Sequence, residues 1–168
     1  MAHGSTPPLP REIEAGPGRE AIRARLRAPG RRLWPGAQVV VPVLLLRPPL
    51  ADALGAAYRD GQLVLGLERV EETLAAEARG LALVARRTGH APGARVSRLL
   101  LLSDDGAERL YRNAERLAVA HAPRVLVAMI AADAATLGRA TTGREAAVKL
   151  VLVQHKQAVA ALLRALTA

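Results

Sequence analysis

The chain is a succession of short apolar runs separated by glycine, proline and charge, and the spacing inside each run separates strand from helix. Val39–Leu46 is almost wholly apolar and of strand length; Pro42 inside it lacks an N–H, which predicts an edge position. Pro48-Pro49 ends that run and, as first-turn residues, favours a helix over Leu50–Arg59 that breaks near Asp60-Gly61. Leu67, Val70 and Leu74 recur at helical spacing beside Glu68, Glu71, Glu72 and Glu77, predicting a helix over Leu67–Arg79 with Gly80 as its stop. Leu81–Arg86 reads equally as a strand or as more helix, and Thr88–Gly93 as a loop.

From residue 96 the pattern becomes regular. Val96–Ser103, built on the run Leu99–Leu102, has the unbroken apolarity of a strand covered on both faces. Asp105 and Glu108 have capping-box spacing and open a helix to about Ala120, with Leu110, Ala114 and Leu117 on one side and Arg109, Arg112 and Arg116 opposite. A strand Arg124–Ile130, a short helix Ala134–Ala140, a strand Ala147–Val153 and a helix Lys156–Leu166 complete the order. Strands alternating with helices predict an α/β fold: a single three-layer α-β-α sandwich with a mainly parallel or mixed sheet, over residues 39–168. Residues 1–38, rich in proline, glycine and arginine, read as a flexible basic arm with a transient helix over Glu20–Arg27.

Composition narrows the chemistry. The absence of cysteine removes disulfides, thiolate metal sites and a cysteine nucleophile. His3, His90, His121 and His155 are scattered without metal-ligand spacing, so neither a cofactor nor a catalytic set is expected. No run approaches the ~20 apolar residues of a membrane span, and no secretory leader stands at the start, so the expected setting is cytoplasmic and away from the membrane. The formal charge of +9 comes from 22 arginines and only two lysines against 15 carboxylates, which favours anionic partners; a GC-rich coding sequence would leave the same bias.

Three stretches carry candidate chemistry. Asp104-Asp105, where a strand meets a helix, would suit magnesium or phosphoryl transfer, or simply cap the helix. The arginines at 109, 112 and 116 would track phosphates or only solvate a surface. Leu137–Glu145 brackets two threonines and two arginines with Gly138 and Gly143, which suits close approach of backbone to RNA, or a helix ending in a C-cap glycine.

Over about Ala53–Leu166 the order of elements resembles the kink-turn RNA-binding ribosomal-protein superfamily, whose fold recurs in the third domain of eukaryotic-type release factors. Gly61-Gln62-Leu63-Val64-Leu65-Gly66 before the helix from Leu67 is similar to that family's glycine turn into its RNA-contacting helix. Leu99–Asp105 resembles its central strand, and Leu137–Glu145 its late Leu-Gly-x-Ala-x-Gly signature. The resemblance implies a non-enzymatic domain that contacts structured RNA or the ribosome through Gly66, Arg69, Leu137, Gly138 and Arg139, with Arg144 as a nearby phosphate contact. Here the helix start is acidic and the late signature one residue longer. Leu102–Ala120 also resembles the strand-to-helix passage of universal stress proteins, which implies nucleotide binding as an alternative. A protein-interaction scaffold with a partner held by the N-terminal arm is the third reading.

Overall fold

Leu99, Leu100, Leu101 and Leu102 point alternately to two separate hydrophobic cores, and this alternation sets the architecture. In a computed structural model that describes residues 6–168, a central sheet is covered by helices on both faces. The elements in chain order are α1 (Arg11–Glu14), α2 (Arg19–Arg27), β1 (Arg31–Arg32), β2 (Val40–Val41), β3 (Val43–Leu44), α3 (Pro48–Arg59), β4 (Leu63–Leu65), α4 (Leu67–Thr88), β5 (Arg98–Leu102), α5 (Glu108–Ala120), β6 (Val125–Ile130), α6 (Ala134–Thr142), β7 (Leu150–Val153) and α7 (Lys156–Ala165).

Five strands form the mixed sheet in the order β3-β6-β5-β7-β4. Strands β3, β6 and β5 are mutually parallel, whereas β7 runs antiparallel to both β5 and β4. Four strands therefore share one direction, and only β7 opposes them. Leu99, Leu101, Val151 and Val153 turn toward α3, α6 and α7; Leu100, Leu102, Leu150 and Leu152 turn toward α4 and α5. Strands buried on both faces need apolar side chains at every position, which explains the unbroken runs. The α/β sandwich expected from the sequence is the observed fold.

The N-terminal arm is a correction. Leu9, Ile13, Ile22 and Leu26 are buried in the same core as α3 and α7. Leu9 N–H donates to Glu14, Glu14 also pairs with Arg23, and Arg164 of α7 donates to Glu12 at 2.9 Å. Arg95 and the Val96 N–H donate to the carbonyls of Leu9 and Pro8. Four large apolar side chains at helical spacing supply the burial that the Pro/Gly composition concealed. Within residues 1–38, positions 6–38 thus belong to the folded unit, while 1–5 lie outside the described residues.

Other differences are local. Pro42 splits the Val39–Leu46 run: β2 pairs with β1 in a separate ribbon, and β3 lies at the sheet edge, where a proline is tolerated. Leu63–Leu65, read as part of a turn, is the opposite edge strand. Helix α4 runs through Gly80 and takes in Leu81–Arg86, stopping only at Gly89 in the left-handed conformation (φ 70°). Glycine costs a helix interior roughly 1 kcal/mol, too little to end one of this length.

Candidate functional site

Strands β3, β4, β5 and β6 deliver their carboxyl ends to one edge of the sheet, where α3, α4, α5 and α6 begin. Helices leave β5 and β6 toward opposite faces, and in open α/β sheets a crevice at such a point commonly receives a ligand. Here the protein fills it. The Asp104 N–H donates to the Ala132 carbonyl, and the Asp105 carboxylate accepts the Ala134 N–H at 3.0 Å. Asp133 accepts from Thr136 N–H at 2.7 Å, and the Thr136 hydrogen bonds hold its carboxyl below the usual carboxylate range. Asp105 therefore serves the start of α6, not the capping box expected on α5, whose N-cap is Ala107. Among the described residues no group of three carboxylate or imidazole side chains is placed to hold a metal ion.

Tyr111 braces the same edge. Its hydroxyl donates to the Ser103 carbonyl and accepts from the Gly106 N–H, both at 2.8 Å, and burial pushes the phenol's pKa up.

The open space lies one strand further along. A groove of about 680 Å³ runs between the starts of α4 and α5 and the segment 142–150. Leu65, Leu67, Leu110 and Val148 give it an apolar floor, and Tyr58, Thr142, Arg144, Glu145 and Lys149 its polar rim. Gly66 positions the α4 end: at φ 92° and ψ 145° it adopts a conformation that side chains avoid, and its N–H donates to the Leu150 carbonyl. No side chain caps α4 or α5, so both present first-turn N–H groups and the positive end of a helix dipole beside this groove. Arg144 and Lys149 are exposed and make no ion pair among the described residues.

The six residues singled out in the sequence separate here. Gly66 and Arg144 line the groove together. Arg69 is exposed on the first turn of α4 but is not part of the lining. Leu137 is fully buried in the core. Gly138 is there for packing, since a Cβ would stand 1.5 Å from the Ala146 carbonyl oxygen. Arg139 is exposed, 3.8 Å from Glu145. Leu137–Thr142 is helix and Gly143 its left-handed C-cap (φ 73°), so the stretch expected to approach a phosphate is mostly helix, with exposed loop only from 143 on.

The arginine stripe on α5 is also engaged within the chain. Arg112 stacks 4.5 Å from the centre of the Trp34 ring and pairs with Glu108, and Arg116 pairs with Glu71. Lys149, Tyr58 and Leu110 were missed in the sequence. Only the β4–β7 pairing brings Lys149 beside Gly66, and nothing local marks it except its being one of two lysines.

No family model and no curated protein matches this chain. Among solved structures it is similar to a protein of unknown function from Bacillus halodurans, at 21% identity over 70% of this chain and 99% of that one, with a TM-score of 0.49.

Proposed function

We propose that this chain is a non-enzymatic RNA-binding or ribosome-associated domain, acting in the cytoplasm, that grips the backbone of structured RNA at the groove between α4, α5 and residues 142–150. One observation carries the reading: Gly66 and Arg144, distant in sequence, line a single open groove with Lys149 and two helix starts that no side chain caps. Free backbone N–H groups, helix dipoles and unpaired cations together suit phosphate oxygens. The apolar floor suits the face of a base or ribose better than a second phosphate.

The test is a binding titration with a structured RNA at two salt concentrations. Two phosphate contacts predict about a tenfold loss of affinity between ~50 and ~200 mM salt. Arg144→Glu with Lys149→Glu should abolish most of the binding and flatten the salt dependence. Equal affinity in the double variant would remove the groove from the reading, and no binding of structured RNA by the wild type would remove the reading itself.

A further inference from the structure

Helix α4 makes its last polar tie to the domain at Glu77, which accepts from Arg98 at the start of β5 and from Arg124 just ahead of β6. Eleven residues, roughly 16 Å of helix, continue from there to Thr88. Along the whole helix the inner side, carrying Val70 and Leu74 and continuing to Leu81 and Ala85, is buried or half-covered. The outer side, at positions 72, 76, 79, 83 and 87, is open throughout, and Leu83 is 53% exposed on it.

These outer positions recur at the four- and three-residue steps of a helix–helix seam. Charge divides between the two halves of the helix, although Glu71 and Glu77 are already paired with Arg116, Arg98 and Arg124. Residues 67–77 hold four glutamates and one arginine, whereas 78–88 hold three arginines and no carboxylate. Glu72, Arg79, Arg86 and Arg87 make no ion pair among the described residues. Gly80 is also unexplained by the single chain, because a Cβ there would meet nothing within 4 Å while glycine weakens the helix.

We infer that α4 is the contact surface of a homodimer, in which two copies of the helix cross antiparallel about a two-fold axis between Arg79 and Gly80. That axis sets Glu72 opposite Arg87 of the second copy and Ala76 opposite its Leu83, each twice by symmetry. A second copy is the occupant because Glu72 and Arg87, both unpaired among the described residues, meet Arg87 and Glu72 of the same helix reversed. Gly80 lies at the crossing, where the two backbones come closest. One helix pair buries less than the roughly 1,600 Å² of a standard interface, which makes this a weak and transient dimer.

Sedimentation of the full chain over a concentration series tests this. The wild type should pass from monomer to dimer, with the dimer weakening as salt rises. Glu72→Arg and Arg87→Glu should each weaken it about tenfold or more by placing like charges together, and the two combined should restore it. Because the chain has no cysteine, Arg79→Cys provides a second readout: mild oxidation should link two copies through that position. A wild type still monomeric at about 1 mM overturns the inference. So does a dimer indifferent to the charge swap, or capture of RNA or lipid by this face in place of a second copy.

Discussion

The Glu115 carboxylate accepts hydrogen bonds from the Trp34 indole and from the backbone N–H groups of Gln38 and Val39, so one side chain of α5 fastens the whole 33–39 loop. Burial would raise its pKa, but the hydrogen bonds from Val39, Trp34 and Gln38 outweigh burial and hold the carboxyl below its ordinary 4.5. A folded-state value lower than the unfolded one gives stability that is complete above about 4.5 and lost as pH falls through the folded value. Urea midpoints measured against pH should therefore fall on acidification in the wild type and fall less in Glu115→Gln. At neutral pH, Glu115→Ala should cost about 2–4 kcal/mol through three lost charge-assisted hydrogen bonds. Gly138→Ala should cost about 2 kcal/mol or more, since its Cβ would collide with main chain that cannot rotate away. A denaturation midpoint unchanged by that methyl group would show that the α6 contact yields freely. Nothing in the local sequence of either residue announces these roles: Glu115 reads as one more surface charge, and Gly138 as half of an RNA-binding signature.

At the scale of elements, periodicity was informative wherever an element meets one uniform environment. The strands β5, β6 and β7 and the helices α3, α5 and α7 are read to within a few residues, because a strand covered on both faces must be apolar throughout and an amphipathic helix must show its stripe. The failures share a cause, which is that the deciding contact is distant in sequence. Leu63–Leu65 is a strand only because Val151–Val153 pairs with it. Asp105 is drawn from its own helix to the start of α6 by the crossing of two loops. Helices α1 and α2 are short, and they are stable against α3 and α7 rather than by propensity. Burial of Leu9, Ile13, Ile22 and Leu26 supplies roughly 6–12 kcal/mol before ordering entropy is deducted, as much as a whole domain's net stability. Removing residues 1–27 should therefore abolish cooperative thermal unfolding followed by circular dichroism. A truncated chain that melts sharply near the wild-type temperature would return this segment to the status of an arm.

Over the whole molecule, the excess positive charge does not form one field. Among the described residues, nine arginines have a carboxylate partner. The groove rim and the far half of α4 lie toward opposite ends of a helix that spans roughly 33 Å. The groove was half legible in the sequence: Gly66 and Arg144 were on the page, while Lys149 and the two helix starts had to wait for the strand order. The groove variants and the α4 variants should accordingly act independently, with Arg144→Glu leaving sedimentation unchanged and Glu72→Arg leaving RNA affinity within about twofold, as distant sites do.

The seating of α1 against α7 bears on how the protein is made. The Glu12–Arg164 pair closes a span of 152 positions, and the core beneath it draws on residues from both ends of the chain. A ribosome adding roughly 5–20 residues per second makes α1 and α2 several seconds before the surface they rest on exists. Throughout that interval Leu9, Ile13, Ile22 and Leu26 have only the β3 and α3 side of their core to rest on. The nascent chain is therefore most exposed to chaperones and to aggregation over Leu9–Leu26, and completion of α7 is the event that closes this window.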